Sequence, residues 1–180
     1  DGVGNNADAD DDNDGVLDDD DEFPLDSGES SDYDGDGIGD NTDTDDGVWA
    51  YLNNGGEVTI TGCSGTCPSE LTLVSTVIGL PVVSVGDSAF REQGLTSLVV
   101  PDGITRLGAS AFSENQLSTV TIADSVTIIG DYAFFENALL QSIQLPSNIE
   151  SIGYAVFYNN ALTSISIPSS VVSIGDYAFR

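Results

Sequence analysis

The stretch "LTSISIPSSVVSIGDYAF" at residues 162–179 contains the pattern that decides the fold. Its last seven letters resemble "SVGDSAF", "RLGASAF", "IIGDYAF" and "SIGYAVF", which together place phenylalanine at positions 90, 112, 134, 157 and 179. The intervals are therefore 22, 22, 23 and 22 residues. Because a repeat of roughly 20–50 residues is typical of solenoids, propellers and arrays, the sequence predicts a mainly β array of stacked units.

Two short strands are predicted in each repeat. Upstream of the later phenylalanines, "LTSLVVP", "LSTVTIA", "LQSIQLP" and "LTSISIP" alternate apolar and polar residues, which indicates a strand with one buried face. A second strand is predicted to end before the glycines at 86, 108, 130, 153 and 175, which we expect to turn the chain. The predicted inward residues of the first strand are Leu98, Val100, Val120, Ile122, Ile143, Leu145, Ile165 and Ile167. Those of the second strand are Leu107, Ile129, Ile152 and Ile174.

The outward positions of the first strand set form a candidate ligand face on a predicted sheet of five strands. Its side chains are small, neutral and mostly hydroxylated, and they are Ser97, Val99, Thr119, Thr121, Ser142, Gln144, Ser164 and Ser166. Two interpretations stay open: a flat surface for a protein or glycan, or solvated strand positions. A rival surface consists of Tyr132, Tyr154, Tyr158 and Tyr177, for which half-buried packing is an equal explanation.

These repeats resemble the bacterial surface-antigen subclass of leucine-rich repeats over residues 57–180. The resemblance implies a solenoid of 22–23-residue coils with a parallel sheet on its concave side. Departures from the pattern are Val156 before Phe157 and a one-residue insertion at Leu139–Leu140. Asn115, Asn137 and Asn160 recur at one offset, and we interpret them as a buried ladder that satisfies backbone groups.

Residues 47–69 are predicted to form a hairpin cap and a junction. "GVWAYLNNGGEVTITGC" alternates apolar and polar residues around Asn53–Gly56, which is a hairpin signal. Cys63 and Cys67 are the only cysteines. A zinc site would need four ligands and a redox motif a tighter spacing, so we expect a disulfide, with two reduced structural cysteines as the alternative.

The predicted solenoid comprises residues 70–180. Residues 1–46 form a separate acidic segment, which holds 20 of the 31 acidic residues and no basic residue. A solvated, disordered acidic tail is one interpretation of such a segment. The spacing favours another: carboxylates fall at positions 1, 3, 5, 9 and 12 of two windows that start at Asp10 and Asp32, with glycine at position 6. Alternate carboxylates around such a glycine are typical of Ca²⁺ loops, and Mg²⁺ is the weaker candidate.

The acidic segment is not an EF-hand, because position 12 is Asp and the intervening sequence contains proline, glycine and serine. It resembles thrombospondin type 3 repeats, including the proline Pro24 after "DDEF". That resemblance implies an irregular arm wrapped around several Ca²⁺ ions. The implied metal ligands are Asp1, Asn5, Asp8, Asp10, Asp12, Asp14, Val16, Asp18, Asp21, Asp32, Asp34, Asp36, Ile38, Asp40 and Asp43, where Val16 and Ile38 offer backbone carbonyls.

The composition favours a protein that binds or builds. The chain has no histidine and only three basic residues, Arg91, Arg106 and Arg180, so the commonest general bases and Schiff-base chemistry are absent and we predict no enzyme. The net charge of −28 excludes nucleic acid as a partner, and no apolar run is long enough to span a membrane.

We therefore predict a secreted or surface-displayed bacterial adhesion or recognition module for an extracellular protein or glycan, with a calcium-stiffened spacer. A subunit that self-associates into a calcium-dependent filament or surface layer is the first alternative, and an accessory region of a larger secreted enzyme is the second. The sequence starts within one motif and ends within another, so we expect it to be a piece of a longer protein.

Overall fold

The structure is a computed structural model, and it describes residues 8–31, 39 and 48–180. These residues contain no helix, and strands of two to six residues build residues 48–180. In chain order the strands are β1 (Trp49–Asn53), β2 (Val58–Cys63), β3 (Glu70–Thr72), β4 (Thr76–Val77), β5 (Leu80–Val85), β6 (Ser97–Val100), β7 (Arg106–Leu107), β8 (Thr119–Ile122), β9 (Ile128–Ile129), β10 (Ser151–Ile152) and β11 (Ser173–Ile174).

The longer sheet joins the segments that end before each glycine. Its order is β1-β2-β5-β7-β9-β10-β11, with β4 paired to β5, and it is parallel from β2 to β11. Leu107, Ile129 and Ile152 lie in register and are buried, whereas Ile174 in the last coil is 50% exposed. The predicted solenoid of stacked β coils is confirmed.

One phenylalanine per coil forms a continuous column through the core. Neighbouring rings from Phe90 to Phe179 stack with centroids 5.5, 5.5, 5.6 and 5.7 Å apart. The first four rings are buried, and Trp49 packs edge-on against Phe90 at 6.2 Å. Since no coil can bury its ring alone, the stack itself supplies the hydrophobic core.

The glycine before each turn has a different role from the one predicted. Left-handed backbone occurs two residues later, at Ser88, Ser110, Tyr132, Ala155 and Tyr177, with φ between 50° and 60°. The glycines instead allow consecutive coils to touch: a Cβ on Gly130 would lie 2.6 Å from the Ala109 nitrogen. The close approach of two backbones, rather than a special φ, therefore requires glycine here.

The second sheet is smaller than predicted. It contains β3, β6 and β8 in parallel, whereas residues 141–145 and 163–167 form no strand, so the prediction of five strands is wrong. The one-residue insertion explains where the sheet ends. The Leu140 amide donates to the Asn137 carbonyl at 3.0 Å, which shifts the register of the segment that follows.

A hairpin stands at the first edge of the longer sheet. Strands β1 and β2 pair antiparallel, and the Asn53 side chain accepts hydrogen bonds from the Gly55 and Gly56 amides across the turn. β2 pairs with β5, so the hairpin extends the stack of coils. A disulfide joins Cys63 to Cys67, whose Cα atoms are 5.5 Å apart.

The chain divides into two compact units, Asp1–Gly47 and Val48–Arg180. The described residues of the first unit form turns and bends without a strand. The finer boundary between residues 69 and 70 stays a prediction.

Candidate functional site

Three carboxylates of the first unit converge on one point. Asp10, Asp12 and Asp14 each offer an oxygen within 4.8 Å of the other two. The turn that brings them together has left-handed backbone at Asn13 and Gly15, with φ of 63° and 101°. The Gly15 amide donates to Asp10 at 3.2 Å, so the loop folds back on its first residue. We name these three residues the aspartate loop.

Two oxygens of the aspartate loop are buried without a donor in the part of the chain that the structure describes. Within residues 8–31, 39 and 48–180, Asp10 Oδ1 and Asp12 Oδ2 accept no hydrogen bond, although each is shielded from solvent. Burial raises the pKa of the Asp12 carboxyl above its usual range, and nearby carboxylates add to this shift, while the bond from the Asp14 amide opposes it. Buried anionic oxygens without donors are costly, and a hard divalent cation compensates them. The oxygen-only donor set therefore fits Ca²⁺.

The other predicted ligands are placed less uniformly. Asp18 accepts from the Asp11 amide at 2.8 Å, and the buried Asp21 accepts from the Phe23 amide at 2.7 Å. Among the described residues, the carboxylates that converge are those of the aspartate loop, without Asp18 and Asp21. Asp8 accepts from the Ala9 amide, and the Val16 amide donates to Asp14. Asp1, Asn5, Asp32, Asp34, Asp36, Ile38, Asp40 and Asp43 lie outside the described residues.

Asp11 stands between the predicted ligands Asp10 and Asp12 and was not itself among the predicted ligands. Its side chain is half-buried and its Oδ1 accepts no hydrogen bond. Burial raises the pKa of Asp11, and the carboxylates of Asp18, Asp8 and Asp12 raise it further. Position 2 of the loop carries no ligand in the motif, so the sequence leaves two interpretations of Asp11: a solvent-facing acid, or a ligand of an adjacent ion. The half-buried position does not favour the solvent-facing one.

The asparagine ladder of the second unit serves the backbone, as predicted. Asn115 accepts from the Gln93 and Leu95 amides and donates to the Phe90 and Phe112 carbonyls, all at 2.8–3.0 Å. Asn137 repeats the pattern one coil later by accepting from Leu117 and donating to Phe112 and Phe134. These buried side chains are structural.

The ladder ends with an unpaired acceptor. Asn160 donates to the Phe134 carbonyl at 2.9 Å, but its buried Oδ1 has no donor among the described residues. The expected donor is the Leu140 amide, 20 residues upstream as in the two earlier steps, and the insertion turns that amide to the Asn137 carbonyl. The insertion therefore costs the ladder one hydrogen bond.

The predicted ligand face is exposed but only partly built on strands. Ser97 pairs with Thr119 and Val99 with Thr121 across β6 and β8, and the two threonines are exposed. Ser142, Gln144, Ser164 and Ser166 are also exposed, outside the three-stranded sheet. No residue of this face shows a shifted pKa or an unpaired buried atom among the described residues.

A cleft of about 480 Å³ lies instead at the turns of the last three coils. Its walls combine aromatic rings with one carboxylate, one carboxamide and one guanidinium. We name it the tyrosine cleft, and its lining residues are Tyr132, Phe135, Glu136, Tyr154, Ala155, Tyr158, Asn159, Tyr177 and Arg180. The sequence indicated the tyrosines, whereas Glu136 and Asn159 were missed because their role depends on the stacking of neighbouring coils.

The surroundings of Tyr154 in the tyrosine cleft favour its neutral phenol. Burial raises the pKa of Tyr154 above its ordinary value, and the neighbouring Tyr132, Tyr177 and Asp176 raise it further. The Tyr154 amide donates a hydrogen bond to Asp131 at 2.8 Å, and this bond holds Tyr154 against the preceding coil.

Stacked coils with one buried phenylalanine and one inward asparagine define a repeat protein of the solenoid class. Residues 67–180 match the model of the "BspA type Leucine rich repeat region" in six copies. The chain therefore belongs to the family of BspA-type leucine-rich repeat proteins. The match does not extend to residues 1–66, so the likeness to thrombospondin type 3 repeats stays a prediction.

Solved structures with similar folds come from several bacteria. The T. pallidum leucine-rich repeat protein TpLRR is 29% identical with a TM-score of 0.70, over 74% of this chain and 64% of that one. A leucine-rich repeat protein from Eubacterium ventriosum is 26% identical with a TM-score of 0.54, over 69% of this chain and 37% of that one.

A third protein, from Bacteroides capillosus, shares the fold at 20% identity and a TM-score of 0.51, over 72% of this chain and 94% of that one. The chain thus spans less than two thirds of the first two relatives. A search of the curated proteins found no match. Among residues 8–31, 39 and 48–180, no helix is long and apolar enough to cross a membrane.

Proposed function

We propose that this chain is a non-catalytic adhesion or recognition module that acts outside the bacterial cell. The observation that carries the proposal is the solenoid itself: the phenylalanines that repeat from Phe90 to Phe157 are buried between coils, whereas the hydroxylated strand positions Thr119 and Thr121 are exposed. The absence of histidine and lysine from the sequence supports a role without catalysis. The disulfide between Cys63 and Cys67 is typical of an oxidising compartment.

The first unit binds Ca²⁺ in this proposal. The convergence of Asp10, Asp12 and Asp14, with two buried oxygens that lack donors, supports a site in the described half of the segment. Extracellular calcium modules bind with dissociation constants of about 10⁻⁴–10⁻³ M. The ion would order the segment, which would then act as a spacer.

Calorimetric titration of the full chain with Ca²⁺, and with Mg²⁺ as a control, tests the calcium proposal. Asp10→Asn/Asp12→Asn should weaken Ca²⁺ binding at least about tenfold, because two of the converging carboxylates are lost. Asp19→Asn/Asp20→Asn removes the same charge from exposed positions and is the matched control. Equal losses of Ca²⁺ affinity in both variants would mean that the net charge of the segment, and not the aspartate loop, determines binding.

Binding of the full chain to immobilised extracellular-matrix proteins and glycans, in millimolar Ca²⁺, tests recognition. If the hydroxylated face carries the contact, Thr119→Arg/Thr121→Arg should abolish binding by steric and charge conflict. Ile128→Arg, at a 44% exposed position of β9 in the longer sheet, is the control. Absence of binding across the panel, or growth in mass on adding Ca²⁺, would favour the filament instead.

A further inference from the structure

We infer that the tyrosine cleft binds a cationic side chain, arginine or lysine, from an exposed basic segment of a partner protein. The inference rests on the proposed recognition function and names both the surface and the chemistry of its partner. It assigns the contact to the coil turns rather than to the hydroxylated face.

Aromatic rings that a cation can reach line the cleft. The centroids of Tyr132 and Tyr154 are 5.2 Å apart with planes inclined by 60°, and those of Tyr154 and Tyr177 are 5.6 Å apart at 75°. At these angles one ring of a pair turns an edge toward its neighbour, so a cation would bind on the exposed side of a ring and not between two rings; these tyrosines are 37–50% exposed and line the cleft. A cation within about 6 Å of such a face is attracted by the ring quadrupole.

One guanidinium of the chain already uses this chemistry. The Arg180 Cζ lies 5.4 Å from the centroid of the Tyr177 ring, over its face. Arg180 is the only basic residue that lines the cleft, and it occupies the Tyr177 end. Tyr132 and Tyr154, at the other end, remain accessible to a ligand.

The charge around the cleft favours a cation over an anion. Glu136 lines the cleft, and the Asn159 side-chain nitrogen Nδ2 donates to one of its carboxylate oxygens at 3.4 Å. Residues 48–180 hold eleven acids against three arginines, a balance of −8. Of those arginines, Arg91 is paired with Glu92 and Glu114. A field of this sign steers basic partners toward the surface.

The fold does not require the aromatic residues. Ser88 and Ser110 occupy the turn position of Tyr132 in the earlier coils, with nearly the same φ of 57° and 55° against 60°. Arg91 and Ser113 likewise stand where the third coil has Phe135. Because serine satisfies the turn equally well, packing alone does not explain why the later coils carry exposed tyrosines.

The test uses the full chain in Ca²⁺ buffer and three soluble probes. These are a capped glycine-serine peptide with three arginines, the same peptide with citrulline in place of arginine, and maltoheptaose. We expect saturable binding of the arginine peptide in an NMR titration, at least about tenfold tighter than the citrulline peptide. Tyr132→Ser should weaken it about two- to fivefold, and Glu136→Gln by a similar factor.

Val172→Ser is the control, because Val172 is 86% exposed and does not line the cleft. Equal binding of the arginine and citrulline peptides would overturn the inference, as would the absence of peptide binding. Maltoheptaose binding that Tyr132→Ser abolishes would also overturn it, in favour of a neutral glycan site.

The panel of matrix proteins separates this inference from the proposed function. If wild type binds the panel and both cleft variants bind equally well, the cleft assignment is wrong and recognition stands. If the arginine peptide binds wild type more tightly than Tyr132→Ser but no panel member binds, the cleft assignment stands and the adhesion proposal fails. If Tyr132→Ser and Glu136→Gln bind the peptide as tightly as wild type, the peptide binds elsewhere on this acidic chain and the cleft assignment is wrong.

Discussion

At the residue scale, Asn137 and Asn160 show how one position can differ between coils. Asn137 is fully buried and uses both its oxygen and its nitrogen, whereas the Asn160 oxygen has no donor. A buried polar group that loses its partner destabilises the fold by about 1–3 kcal/mol. The two asparagines should therefore contribute unequally to stability.

We predict that Asn137→Ala lowers the free energy of unfolding by about 1–3 kcal/mol more than Asn160→Ala. The reason is that Asn137→Ala leaves the buried Leu117 amide without its acceptor, whereas the Asn160 oxygen accepts no bond that its removal could break. The carbonyls do not decide the difference, because Phe112 keeps a bond from Asn115 and Phe134 keeps one from Asn160 when Asn137 is removed. Urea unfolding of the two variants, followed by tyrosine fluorescence, measures the difference. Equal losses would contradict this account of the insertion.

A second residue-scale prediction concerns alkaline pH. The pKa of Tyr154 is raised in the folded chain, so its phenol holds a proton that the unfolded chain releases near pH ~10. The resulting stabilisation is present below that pH and is lost as the pH rises through the raised pKa. The free energy of unfolding should fall above pH ~10, and Tyr154→Phe should make that fall shallower.

Spectrophotometric titration of the tyrosines at 295 nm provides the direct check. One phenol should ionise at higher pH than the others, and Tyr154→Phe should remove that component. If the variant leaves the titration curve unchanged, the shifted group is a different tyrosine.

The ladder also shows what sequence reasoning could reach at this scale. The common offset of Asn115, Asn137 and Asn160 was enough to predict a structural role, because a regular spacing repeats one environment. The missing donor at Asn160 was not predictable, since it depends on where a single inserted residue turns the Leu140 amide. Glu136 and Asn159 escaped prediction for a related reason: they meet only across neighbouring coils.

At the element scale, the glycine column limits how closely coils can pack. A Cβ on Gly130 would meet three backbone atoms of the previous coil, at 2.6, 2.8 and 2.9 Å. Backbone cannot rotate away as a flexible side chain can, so one of the two coils would have to shift. Overpacking of this kind costs about 1–3 kcal/mol.

We predict that Gly130→Ala lowers the free energy of unfolding by about 1–3 kcal/mol, as measured by chemical denaturation. Gly65→Ala is the matched control, because a Cβ there meets no atom within 4 Å and its φ is not left-handed. Gly65→Ala should leave stability unchanged or raise it slightly, since alanine restricts the unfolded chain. Similar losses in both variants would show that close approach is not what requires glycine.

Strands were predictable where the register is regular and not where it breaks. Period-2 alternation correctly indicated β6 and β8, and the apolar residue before each glycine indicated the longer sheet. The same alternation continues through residues 141–145, where Ile143 and Leu145 are buried as predicted, yet no strand forms. Burial follows the side-chain pattern, whereas strand pairing also needs the neighbouring backbone in register.

At the scale of the whole molecule, the two units depend on different sources of stability. The unit Val48–Arg180 has a core of stacked apolar residues, whereas residues 8–31 contribute no apolar side chain to that core and bury only Asp21 and Glu29 as whole residues. We predict that 10 mM Ca²⁺ stabilises the first unit by roughly 1.4–2.7 kcal/mol per site, from mass action at the expected affinity. The second unit should be unaffected.

Hydrogen exchange followed by mass spectrometry can separate the two responses, because peptides from residues 8–31 and 48–180 are distinct. Ca²⁺ should slow exchange in the first range only, and Mg²⁺ should have little effect. Equal protection of both ranges would mean that the ion acts on the solenoid as well. Unchanged exchange in both would return residues 1–46 to the interpretation of a solvated acidic tail.

The backbone hydrogen bonds between coils determine which changes in the number of repeats the solenoid can accept. The amides of Phe90, Phe112, Phe134 and Phe157 each donate to the carbonyl that precedes the next phenylalanine, at 2.8–3.0 Å, so every junction between coils is made in the same way. Loss or duplication of one whole coil during DNA recombination would rejoin equivalent partners, while a slip of a single codon would leave a mismatch like that at Asn160. Duplication or deletion of one whole repeat in the gene would therefore change the length of the solenoid by one coil and keep the hydrogen bonds between the coils that remain.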